Sequence, residues 1–167
     1  MKTPAILKSV TAILDKAFKA EIKAQGHSLT GALEASVNGK ITETNTSCQI
    51  LDYGHILDEG TSPSRIPFSG TTGKGGTSKY IQGLVSFWQL KGLSAKEALS
   101  AAFATAKVQK KEGMSTAASR RFSKNGQRQN FIGNVINAKE PEIDKVATTG
   151  MDQIFEQLYT KQKNETI

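Results

Sequence analysis

Very little in this sequence can build a covalent or metal-held framework. Its 167 residues include one cysteine, Cys48, and two histidines, His27 and His55. One thiol excludes an internal disulfide and any site made from several cysteines, and two histidines are too few for a closed zinc site without further soft ligands. No run of 18 uncharged apolar residues occurs, which excludes a transmembrane helix of the usual kind. The opening stretch MKTPAILKSVTAILDKAFKA begins with a lysine, as a signal peptide does, but Lys8, Asp15, Lys16 and Lys19 interrupt it too often for an apolar core region. The expectation is a soluble chain made in a reducing compartment, with Cys48 a buried thiol rather than a reactive one.

Apolar residues are also scarce, at 37%, with aromatics at 7%. A chain of this length buries roughly 70% of its unfolded surface and needs no staple, so a single domain over 1–167 is expected, with one modest core and long polar loops. The third scarcity is local. Residues 61–131 hold 12 basic and 2 acidic side chains, a net of +10, whereas residues 1–60 come to −1 and residues 132–167 to −2. A basic middle points to a polyanionic or acidic neighbour on one side of the molecule.

What is present is mostly helical patterning. Ile6, Val10, Ile13, Leu14, Ala17, Phe18 and Ile22 share one face opposite a row of lysines, with Pro4 in the first turn and Gly26 as a stop. In VNGK, residues 37–40, the Asn-Gly pair predicts a tight hairpin turn. Residues 41–45 then alternate as a strand, and 46–51 read as another, while GALEASV also suits a helical turn. Further on, Ile81, Leu84, Val85 and Trp88 predict a helix ending at Gly92, with Trp88 in the core. Ser94 and Glu97 form a capping box for a second helix, lined by Leu99, Ala102, Phe103 and Ala106 and closed by Gly113. A last helix is predicted from Pro141, with Ile143, Val146, Met151, Ile154, Phe155 and Leu158 as its buried stripe and a fraying tail after it. The fold class is α+β: a small antiparallel sheet packed by several α-helices, with long flexible loops at about 60–79 and 112–130.

Chemistry finds few footholds. GTTGKGG, residues 70–76, invites a phosphate-loop reading, but only Thr71 and Thr72 separate Gly70 from Gly73-Lys74, and Gly75 stands where a Ser or Thr is required. His55, Asp58 and Glu59 share a face only if their segment is helical. No GxSxG or HExxH pattern is present. The expectation is therefore no enzyme and no cofactor. Lys107, Lys110, Lys111, Arg120, Arg121, Lys124 and Arg128 supply phosphate-binding charge, although Phe122 is the one aromatic among them, so base stacking has little support. A basic module binding nucleic acid without sequence preference is the alternative reading.

An ordered set of short motifs resembles the head-to-tail joining proteins of long-tailed bacteriophages, the neck or tail-completion family. After the long first helix comes Thr30-Gly31-Ala32-Leu33, with Ser36 following. Next is a Tyr-small-x-x-hydrophobic-acid-x-Gly-Thr pattern, met by Tyr53, Gly54, Leu57, Asp58 or Glu59, Gly60 and Thr61. FWQLKGL, residues 87–93, then AAFATAKVQKKEGM and a closing helix complete the series. Gly54 stands where the family often has Ala, and segment 114–131 is longer and more basic than the family pattern.

The resemblance implies a virion structural protein made in the host cytoplasm and forming a ring, sixfold or twelvefold. Such a ring sits at the neck between portal and tail, around the DNA channel, without chemistry of its own. Its neighbours would be portal, connector or tail proteins, with non-specific contact to the genome and no membrane. Tyr53, Asp58, Glu59, Gly60, Thr61, Arg65, Arg120, Arg121 and Arg128 are then candidates for the subunit interface, the acids accepting charge-assisted bonds from a neighbour's arginines. Lys107, Lys110, Lys111 and Lys124 form a candidate patch facing DNA or an acidic partner. The loops 60–79 and 112–130 would order between neighbours.

Overall fold

The structure is a computed structural model that describes residues 3–70 and 78–165. The GTTGKGG stretch beyond Gly70, with its Lys74, lies outside the described residues. The chain divides into two compact units, the first formed by residues 1–54 and 130–167 and the second by His55–Gln129.

In the first unit, α1 (Thr3–Ala24) forms over the stretch whose apolar spacing predicts it, burying Ile6, Val10, Phe18 and Ile22. Gly26, at φ 74°, ends it. A short helix, α2 (Ala32–Ser36), follows, and two antiparallel strands, β1 (Asn38–Ile41) and β2 (Thr46–Gln49), lie against α1. The α+β class holds, with helix dominant and the sheet reduced to two strands.

The hairpin differs from the expected one. Asn38-Gly39 lies inside β1, and the turn falls at Thr42–Asn45, closed by the Thr42 N–H to the Asn45 carbonyl at 2.8 Å. Residues 42–45 are therefore a turn and not a strand. Gly39 serves a different purpose: a Cβ there would collide with Thr11 Cγ2 and sit 3.1 Å from Asp15 Oδ1, so the missing side chain lets the strand lie on α1. The Thr11 and Thr46 hydroxyls are hydrogen-bonded across that contact. Cys48 lies on the same side, its thiol 3.6 Å from Asp15 Oδ1. Burial first, and then the Asp15 carboxylate, pushes this thiol up to about 11, so it stays protonated and unreactive near neutrality.

The last helix corrects the sequence reading twice. Called α6 here, it runs from Phe131 to Glu165, so it begins ten residues earlier than predicted and Pro141 lies inside it. It also continues through most of the tail expected to fray. A proline there strips the Asn137 carbonyl of its helical partner, but both residues are exposed, where water can serve that oxygen. The helix starts beside the end of α1, with Asn134 Nδ2 donating to Glu21 Oε1 at 3.2 Å and the Phe131 ring 6.2 Å from His27, and packs along α1.

The buried residues of α6 are Phe131, Val135 and Gly150. The expected stripe is only partly covered: Ile143, Val146 and Ile154 are half-buried, while Met151, Phe155 and Leu158 are 41%, 62% and 56% exposed. The reason is length. At about 1.5 Å per residue, 35 residues of α6 outrun the 22 of α1 by roughly 20 Å. Counted back from Glu21, the start of α1 falls level with the region of Asp152, and from 151 to 165 only Ile154 is even half-buried.

The second unit holds most of α3 (Tyr53–Glu59), then α4 (Lys79–Leu90) and α5 (Ala95–Glu112). Ser94 and Glu97 make the predicted capping box, with the Ser94 hydroxyl also donating to Glu97 Oε2 at 2.6 Å. The core is Ile66, Phe68, Ile81, Ala102 and Ala106, with Tyr80, Leu84, Val85, Trp88, Phe103 and Met114 packed half-buried against it. Trp88 belongs to that core as expected, its indole N–H donating to Thr105 Oγ1 at 3.0 Å. Leu99, expected on the inner face of α5, is 41% exposed, and Ala98 is buried in its place. Ala102 and Ala106 are buried as expected, and with Ala98 their small side chains let α4 pack close to α5.

Candidate assembly surfaces

Two of the motif stretches behind the phage resemblance, Thr30 to Ser36 and Tyr53-Gly54, meet in the first unit. Gly31, at φ 71°, starts α2, whose Leu33 is 1% exposed. The Ser36 hydroxyl donates to the Leu33 carbonyl at 2.7 Å and accepts from the Leu51 N–H at 3.2 Å, tying α2 to the segment that enters α3. Gly54 is buried beside Leu33 and Ile50, with room for a Cβ only if the end of the Ile50 side chain moves. Leu51 and Ile56, apolar residues around the acidic turn, are 41% and 58% exposed, and Tyr53 at the start of α3 is 42% exposed.

Around Asp58 the structure shows a joint that the sequence did not announce. Gly60 stops α3 at φ 78°, its N–H bonding the Ile56 carbonyl at 2.9 Å. Thr61 and Met114 then pair through two backbone bonds of 2.7 and 2.8 Å, so the segments 60–79 and 112–130, expected as separate loops, are tied together at their bases. The Gln129 amide closes the joint by donating to the Glu59 and Met114 carbonyls, both at 3.2 Å. A Cβ on Gly60 would strike Gln129 Nε2 and lie 2.5 Å from the Met114 carbonyl oxygen, so glycine is required there for space as well as for φ. Each loop also carries a short 3-10 turn, Pro63–Arg65 and Ala117–Phe122.

Of the candidate interface residues, Glu59, Arg65, Arg120 and Arg121 are exposed, while Asp58, Gly60 and Thr61 are half-buried in or beside the joint. Arg128 is half-buried and turned inward, with Nη1 3.5 Å from the Ser119 carbonyl, and burial lowers its pKa. It is better placed to hold the Ala117–Phe122 turn than to meet a partner. Lys107, Lys111 and Lys124 are exposed; Lys110 is exposed too, but its ammonium donates to the Ile66 carbonyl at 3.1 Å and closes a gap in its own unit. The Arg121 guanidinium stands 4.9 Å from the centre of the Phe122 ring, and that ring is 60% exposed.

The helical form of α3 puts His55, Asp58 and Glu59 on one face, yet among the described residues no three His, Cys, Asp or Glu side chains are placed to hold a metal. A depression of about 520 Å³ is lined by Gln153, Glu156, Gln157, Thr160, Lys161 and Asn164, all on α6, which makes it the flank of a lone helix and not a cleft. Among the described residues no helix is long and apolar enough to cross a membrane.

The charge divides with the fold. The unit His55–Gln129 carries 12 basic and 4 acidic side chains, a net of +8, and the other unit carries 10 and 11, a net of −1. The ion pairs Lys139–Glu142 and Lys161–Glu165 both lie on α6. Sequence reasoning missed the joint at Gly60 and the uncovered end of α6; only the Gly and the apolar spacing hinted at them. Compared with protein-family models, with curated proteins and with solved structures, the chain matches none.

Proposed function

We propose that this chain is a structural subunit of a long-tailed bacteriophage particle, forming a ring at the neck that joins head to tail around the DNA channel. What carries the reading is the packing of its motif stretches. Thr30-Gly31-Ala32-Leu33, Ser36 and Tyr53-Gly54 are separated in sequence but held together at α2 and α3. The small sheet with helices against it is the architecture that the resemblance implies. The exposed Tyr53, Glu59, Arg65, Arg120 and Arg121 then serve contacts between neighbouring subunits. The test is to tag the chain in the phage that encodes it and image the particle. Density at the neck in a sixfold or twelvefold ring is expected, and particles that assemble fully and lack the chain would remove the proposal.

The second reading, a basic nucleic-acid-binding module, draws on the net +8 of the second unit and on the exposed Phe122 with Arg121 against its ring. Its signature is binding to DNA that weakens steeply as salt rises, since each neutralised phosphate releases about one counterion.

A further inference from the structure

We propose that the uncovered end of α6 is the seat for the Ala117–Phe122 segment of a second copy of this chain, a head-to-tail contact that rests on the reading that the chain assembles with itself. The seat is a stripe of Met151, Phe155, Leu158 and Tyr159, spaced i, i+4, i+7 and i+8 on one helical face and 41% to 70% exposed. A helix face this apolar is not left to water without a cost that a partner removes. On the helical wheel Asp152 and Glu156 line one edge of the stripe, and both are exposed. From Glu140 to Glu156 the helix carries five carboxylates and one lysine, Lys145.

The complementary half is on the same chain. Between Glu112 and Glu140 there is no acidic residue, and Arg120, Arg121 and Lys124 are exposed around the 60%-exposed Phe122 ring. Seating Phe122 against Phe155 and Leu158 would bury aromatic surface on both sides and bring Arg120 and Arg121 to Asp152 and Glu156. An apolar anchor flanked by guanidinium–carboxylate pairs is the usual make-up of a strong contact. Because one chain supplies both halves on different surfaces, the contact is heterologous: each copy uses its arm on one neighbour and its helix on the other.

The contact is tested on the purified chain by measuring mass in solution across a range of concentrations. The arm variant combines Arg120→Glu with Arg121→Glu, and the helix variant combines Phe155→Ser with Leu158→Ser; circular dichroism checks that each is folded. The wild type should exceed its 18.0 kDa monomer mass as concentration rises, and each variant alone should associate about tenfold or more weakly. Mixed, the two variants should form a one-to-one heterodimer that grows no further, because one intact arm meets one intact helix. A second pair guards against misfolding: Asp152→Lys with Glu156→Lys should disrupt association alone and restore it when combined in one chain with the arm substitutions. A wild type that stays monomeric, an arm variant that dimerises by itself through its helices, or a mixture with no heterodimer would each overturn the proposal. If the wild type associates and neither variant weakens it, this contact is gone while the neck reading stands; if particles lack the chain, the neck reading is gone while this contact stands.

Discussion

The unit built on α1 and α6 holds 10 bases and 11 acids, whereas the unit built on α4 and α5 holds 12 and 4. Their cores differ as well. The first is filled by large side chains, among them Ile22, Leu33 and Phe131, each at most 1% exposed. The second is thin, with Ala98, Ala102 and Ala106 buried along α5 and a shell of half-buried aromatics whose polar tips find partners, as Tyr80 does on Gln109 and Trp88 on Thr105. The first unit therefore has apolar surface in excess, left over on α6, and the second has charge in excess, left over around Arg120 and Arg121.

The division between the units is tested most strongly by emptying one core at a time. Phe131→Ala should cost the first unit about 3–5 kcal/mol and Ile81→Ala the second about 2–5 kcal/mol. Trp88, the chain's single tryptophan, reports the second unit by fluorescence, while far-ultraviolet circular dichroism is weighted toward the long helices α1 and α6. In urea, Phe131→Ala should lower the dichroism midpoint more than the fluorescence midpoint, and Ile81→Ala should do the reverse. Equal shifts by both probes would show one cooperative structure and erase the division.

A smaller effect is expected at the joint. Gly60→Ala forces a side chain to φ 78° and against the Met114 carbonyl, so it should cost about 1–3 kcal/mol, read by fluorescence. Hydrogen exchange at the Thr61 and Met114 amides should speed up with it. A variant as stable as wild type would mean that the paired loop bases contribute nothing to the second unit.

The smallest effect is at Cys48, in the first unit. Its thiol is raised in the folded chain from an ordinary 9.0 to about 11, so folding favours the protonated form. Stability from this group is complete below about 9 and is lost as pH rises from 9 toward 11. Compared with Cys48→Ser, the wild type should lose a little midpoint across that window and nothing near neutrality. Identical pH profiles for the two would show that the Asp15 neighbourhood does not act on the thiol.

Much of this molecule is written in short stretches. The apolar spacing of α1, the capping box of Ser94 and Glu97, and the stops at Gly26, Gly92 and Gly113 all appear where residues within a turn of one another specify them, because the bonds involved are local. The candidate surface was legible only as composition: the exposed arginines and Phe122 were visible as a basic stretch, but not the inward turn of Arg128 or the use of Lys110 to close a gap. Tertiary structure alone decided three things. It placed Asn38-Gly39 in a strand because Gly39 must pass α1, joined Thr61 to Met114 across 53 residues, and left Phe155 and Leu158 bare beyond the level at which the described part of α1 begins. Periodicity says which side of a helix is apolar; whether anything covers that side depends on the length and position of an element more than a hundred residues away.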